Sequence, residues 1–106
     1  MNQTSQKHDA FQAIADSTRR SILHLLSERE LAISDIAKEF PISRTAVTKH
    51  LVILSEASLV SSRKVGREKR YRLMPDGLTE IHEFLSYYEK FWSNKLLKLK
   101  YISEKE

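Results

Sequence analysis

Eight side chains between residues 43 and 72 share one chemistry, the neutralisation of a polyanion: Arg44, Lys49, Arg63, Lys64, Arg67, Lys69, Arg70 and Arg72. Only Glu56 and Glu68 oppose them, so the segment carries +6 within a chain whose formal total is +4, and the remaining residues sum to −2. A basic excess gathered in one place draws phosphate-rich partners, whereas the same charge spread evenly chiefly favours solubility. Ser43, Thr45 and Thr48 lie among these cations. Their hydroxyls can bond base edges or phosphates, and a threonine methyl can meet the methyl of thymine.

Catalysis has no comparable constellation. The absence of cysteine excludes a disulfide framework, a thiol nucleophile and thiolate metal sites. The chain contains no phosphate-binding glycine loop, no H-E-x-x-H and no G-x-S-x-G elbow, so it does not read as an enzyme. His82 follows Asp76 by six residues, about 240° around a helix, which separates the two as metal ligands within one chain. His24 and His50 fall among core positions of their helices and read as structural histidines. No metal and no cofactor are expected.

The elements that must position the basic residues follow from punctuation and periodicity. Residues 1–106 suit a single domain, with residues 1–7 expected to be loose. The two prolines and two glycines mark breaks at Pro41, Gly66, Pro75 and Gly77. Phe11, Ile14 and Ala15 make a short first helix, and Asp16 caps a second that buries Ile22, Leu23, Leu25 and Leu26 and exposes its polar first turn, residues 17–20. Residues 28–31 are a connection. Ile33, Ile36, Ala37 and Phe40 give a third helix that Pro41 cannot continue. Ser43 caps a fourth, with Ala46, Val47, Leu51 and Leu54 behind and Arg44, Thr45, Thr48, Lys49, Val52 and Ser55 in front.

From residue 59 to 73 the period changes to two around a Gly66-Arg67 turn, the mark of a β-hairpin whose inner face holds Tyr71 and Leu73. Pro75 then opens a long last helix, with residues 76–102 as its dimerisation segment. Leu78, Ile81, Leu85, Tyr88, Trp92, Leu96 and Leu99 line it at three- and four-residue steps, and Phe84 and Phe91 widen the stripe. Such a stripe is core or interface, here a seam between two copies. The predicted fold is mainly α with a small β-hairpin, a winged helix-turn-helix of order α-α-α-α-β-β-α. No stretch is apolar enough to span a membrane, and the polar start has no signal core, which predicts a cytoplasmic chain.

A capped helix with short polar and basic residues at its start can enter a major groove, and a basic hairpin beside it can reach the backbone or the next groove. The expected partner is therefore double-stranded DNA, contacted by Ser43, Arg44, Thr45, Thr48 and Lys49 from the helix and by Arg63, Lys64, Arg67, Lys69 and Arg70 from the hairpin. Arg67 is placed at the tip, bordering the minor groove, with Lys64, Lys69 and Arg70 on phosphates. Strand alternation lets only some of these face DNA together. An acidic protein could instead select the same face.

Residues 11–26 (FQAIADSTRRSILHLL), 43–54 (SRTAVTKHLVIL) and 59–73 (LVSSRKVGREKRYRL) resemble, in order and spacing, the ArsR-type winged-helix repressors. The resemblance runs over roughly residues 8–100. It implies a homodimer through the first and last helices, with Phe11, Ile14, Leu78, Ile81, Leu85, Tyr88, Trp92, Leu96 and Leu99 at the interface, and an inverted-repeat operator. Many members release DNA on binding a metal. Here Ala32 and Ser34 stand where thiol sensors carry cysteines, and Asp76 is followed by Gly77 and Leu78 where zinc-type sensors carry Asp-x-His. That pattern resembles the metal-independent autorepressor branch; a noncanonical metal site and an unidentified small-molecule or protein inducer are the alternatives it leaves open.

Overall fold

The computed structural model describes residues 8–105, with side chains placed through Trp92; residues 1–7, expected to be loose, lie outside the described residues. The first helix, α1 (Ala10–Ala13), is a single turn, too short to persist by itself. Asp9 and Gln12 close a reciprocal capping box at its start, with the Gln12 N–H donating to Asp9 Oδ1 at 2.8 Å and the Asp9 N–H to Gln12 Oε1 at 2.9 Å. Its C-terminal carbonyls are closed by α2 (Ser17–Leu26). Arg19 donates to Ala13 O at 2.7 Å and Gln12 O at 3.3 Å, and Arg20 to Ile14 O at 2.7 Å. The polar first turn of α2, expected to be simply exposed, is thus a clasp on the preceding helix. Asp16 caps α2 as predicted, accepting the Arg19 N–H at 3.0 Å. Ile22, Leu23 and Leu26 are buried, but His24 is exposed rather than a core residue.

The connection after α2 contains a strand the sequence does not announce. β1 (Leu31–Ala32) pairs antiparallel with β3 (Glu68–Leu73), Leu31 opposite Tyr71. The predicted hairpin is therefore part of a three-stranded sheet of order β1-β3-β2, in which β2 is Val60–Val65. Two residues are too few to display a period, so only the burial of Leu31 against Tyr71 reveals the pairing. α3 (Ile33–Ala37) follows at once and buries Ile33 and Ile36.

The fourth helix, α4 (Arg44–Glu56), starts at the predicted cap: the Ser43 hydroxyl accepts the Ala46 N–H at 3.0 Å. Between β2 and β3 the chain reverses at Gly66 and Arg67. Gly66 has φ +64° and Arg67 does not share that sign, the pattern of a type II′ turn.

Pro75 opens a 3₁₀ turn (Pro75–Leu78), and the long helix α5 (Thr79–Lys105) begins one turn later than expected. Gly77 shows why: a Cβ there would lie 2.0 Å from the Ser58 carbonyl oxygen. The chain must pass tightly over the end of α4 before α5 can start.

The core lies between α2, α3, α4 and the inner face of the sheet. Ile22, Ile36, Val47, Leu51, Leu54 and Leu59 are fully enclosed. Ile81 belongs to this same core, and Leu78 packs against it. Both were expected at a seam between copies; Ile81 is buried in the chain's own core, so the first turn of α5 fastens that helix to its own domain, while Leu78, in the 3₁₀ turn, is half-buried.

Candidate nucleic-acid interface

α4 divides along its length. Val47, Leu51 and Leu54 are wholly buried, which fixes its rotation in the domain. Arg44, Thr45 and Lys49 are exposed and Thr48 is half-buried. Thr45, Thr48, Lys49 and Val52 follow at three- and four-residue steps and so form one outward ridge, with Arg44 flanking it. The Thr48 hydroxyl donates to Arg44 O at 3.0 Å, leaving its lone pairs and methyl for a partner. Val52, half exposed, adds an apolar point to a polar ridge.

The helix is braced from behind as well. Arg19 Nη1 lies 3.3 Å from His50 Nδ1. Arginine has no acceptor, so in this contact the ring nitrogen is the accepting partner. Asp16 stands 4.0 Å from the same nitrogen. Its carboxyl is held below the usual aspartate range, first by the Arg19 backbone N–H that it accepts. One cluster therefore joins α1, the start of α2 and the middle of α4.

The β2–β3 register sorts the wing into two faces. Lys64 stands opposite Lys69, on the side where Val60, Tyr71 and Leu73 cover the helices nearer the base. Arg63 stands opposite Arg70 on the other side, with Arg72 in the next row. Arg70 therefore does not accompany Lys64 and Lys69, as the sequence reading had placed it. Arg63 is engaged by Glu30 through two bonds, at 2.8 and 3.2 Å. The Arg63 guanidinium beside Glu30 keeps that carboxyl below its usual range, and Glu30 raises the pKa of Arg63 in return. Lys64 and Lys69 form no ion pair among the described residues. Arg67 is exposed at the turn.

A third feature runs from α1 along α5. Phe11 meets Phe84 edge to face at 5.4 Å, and Phe84 meets Tyr88 at 5.2 Å. Phe84, Leu85, Tyr88, Phe91 and Trp92 are all large, apolar and 39–56% exposed. A patch of this kind on a small domain marks an interaction surface. Phe11, which adjoins the patch through Phe84, and Ile14 are half-buried; the side chains of Leu96 and Leu99 lie outside the described residues. Among the described residues no three of His, Asp and Glu gather as a metal site, and no described helix is long and apolar enough to cross a membrane.

Arg19, Arg20 and Glu30 escaped the sequence reading, whereas His50 takes the structural role expected of it. A faint signal existed for the first two: paired cations in the first turn of a helix oppose its dipole and need another reason to be there. Glu30 gave none, because its partner is 33 residues away.

A helix-turn-helix with its second helix bared and a basic wing beside it defines a DNA-binding transcriptional regulator. The model of the family "bacterial regulatory protein, arsR family" matches residues 16–62. Over 87 residues the chain is 40% identical to the HTH-type transcriptional regulator Rv2034 of Mycobacterium tuberculosis, covering 82% of this chain and 78% of that one. It is 39% identical over 66 residues to the transcriptional repressor SdpR of Bacillus subtilis, covering 62% and 73% respectively. The ArsR-like transcriptional regulator from Rhodococcus sp. RHA1 superposes with a TM-score of 0.69 at 38% identity, over 91% of this chain and 88% of that one. The chain belongs to the ArsR family of bacterial transcriptional regulators, DNA-binding proteins that are typically dimeric.

Proposed function

We propose that two copies of this chain pair through the α1–α5 aromatic face and repress transcription by occupying an inverted-repeat operator, which places the protein in the cytoplasm. The observation that carries this reading is the bared ridge of α4 over a fully buried rear, with the uncompensated Lys64–Lys69 pair on the wing face that continues the helical side. Arg44, Thr45, Thr48 and Lys49 lie in the major groove, and Ser43 sets the helix start. Arg67, Lys64 and Lys69 hold phosphates, while Arg63 and Arg70 serve the outer face of the wing. Half-sites lie roughly 34 Å apart, one helical turn. Ala32, Ser34 and Leu78 offer no thiolate or imidazole at the positions where the resemblance places the ligands of metal-sensing members, which supports regulation without a metal; the inducing molecule or protein is unassigned.

A gel shift with the DNA upstream of the protein's own gene tests the reading. Retention should be strong at low salt and fall steeply as salt rises, because each phosphate contact releases counterions. No retention at low salt, or a flat salt dependence, contradicts it.

A further inference from the structure

The outer face of the wing holds positive charge that its own carboxylates do not fully balance. Arg63 and Arg70 oppose each other across β2 and β3, and Arg72 opposes Ser61 in the adjoining row. Glu30, just before β1, enters this face and bonds Arg63 fork to fork. Glu68 approaches Arg70 at 3.8 Å. Arg72 has only a neutral partner: its Nε donates to the Ser61 hydroxyl at 3.2 Å, and among the described residues it makes no ion pair. Glu30, Ser61, Ser62, Arg63, Arg70 and Arg72 together line a pocket of about 320 Å³.

We propose that this pocket binds a small phosphorylated molecule, whose phosphate takes Arg70 and Arg72 and competes with Glu30 for Arg63. A carboxylate is a monoanion that one guanidinium satisfies, as Glu30 already shows. A phosphate brings up to two charges and three acceptor oxygens, enough to bridge several guanidiniums and the Ser61 hydroxyl at once. The pocket also has room for more than the phosphate itself. Glu30 feels all three arginines, which together favour its charged form, so the position already selects an anion.

The site is separate from the proposed DNA surface, because Lys64 and Lys69 occupy the opposite face of the same hairpin. Glu30 and Arg63 also tether the hairpin to the connection after α2. A ligand that takes Arg63 away from Glu30 releases that tether, and any effect on DNA affinity is returned equally on ligand affinity.

Pyrophosphate serves as the probe, titrated into the full chain at constant ionic strength with sodium chloride as control. Arginine and lysine side-chain NMR and calorimetry give the readout, so the result does not depend on whether the protein binds DNA. One saturable site per chain is expected, with shifts confined to Arg63, Arg70 and Arg72. Arg72→Gln should weaken binding about tenfold, Glu30→Gln should tighten it about threefold, and Lys64→Gln should leave it unchanged. Arg72 and Lys64 are exposed and Glu30 is half-buried, and Arg72→Lys, which keeps the charge but loses the fork, is the second variant should Arg72→Gln not fold. Shifts that do not saturate, or that spread equally over Lys64 and Lys69, overturn the proposal. Duplex DNA added to the loaded protein separates the two phosphate sources. Simultaneous binding supports a small-molecule site, whereas displacement together with an equal loss of DNA affinity in Arg72→Gln assigns the face to the DNA footprint and overturns it.

Discussion

Arg19 does more for this domain than its place in a polar first turn suggests. It closes two carbonyls of a one-turn helix and reaches the ring of His50 on α4. Replacing it with alanine leaves those groups without their partner, and the expected loss is about 1–3 kcal/mol in urea denaturation, with amide exchange accelerated in α1. Equal exchange in α1 of the two proteins would show that the clasp is idle. Asp16 supplies the matching pH dependence. Its folded-state pKa lies below the ordinary 3.8, so its stabilisation is complete above that value and is lost as pH falls through the lowered one. Asp16→Asn retains a capping oxygen without the titration. Its unfolding midpoint should therefore fall less steeply below pH 4 than that of the natural chain.

At the scale of elements, the wing shows a conflict between stability and use. Lys64 and Lys69 are directly opposite with no carboxylate to separate them, a pairing that weakens a hairpin by about 0.2–1 kcal/mol. Lys64→Thr should stabilise the protein by that order in thermal unfolding. The same change should weaken DNA binding on all sequences alike and lower the salt slope by about one; unaltered DNA affinity would remove Lys64 from the interface. Helices α2 and α4 were legible in the sequence because Asp16 and Ser43 act locally and the apolar residues repeat with the helical period; α3 was legible through Ile33, Ile36 and Ala37, but it ends at Ala37, so Phe40, expected in it, lies in the turn before Pro41. The hairpin was legible through Gly66 and alternation. What was hidden depends on distant partners: β1 exists because Leu31 meets Tyr71, the delay of α5 because Gly77 must pass the Ser58 carbonyl, and the position of Arg63 because Glu30 holds it. Alternation alone showed that the wing cations divide between two faces. Only the register showed that Arg70 falls with Arg63.

For the molecule as a whole, Phe84, Leu85, Tyr88, Phe91 and Trp92 of α5 form an exposed apolar face beside α1. Leu78 and Ile81 bind the start of α5 into the chain's own core, so the helix projects Leu85, Tyr88 and Trp92 from a fixed base. Tyr88→Arg should shift the protein to monomer in sedimentation and reduce operator affinity, since one α4 then contacts one half-site; an unchanged dimer would place the seam elsewhere. The central claim, that α4 reads bases in a duplex, is tested most directly by selecting binding sites from a pool of random duplexes with the natural chain and with Arg44→Ala. The account predicts two related half-sites in inverted order, about one helical turn apart, with preference relaxed at one symmetric position of each in the variant. Recovery of no common sequence, or the same preferences from both proteins, would contradict it.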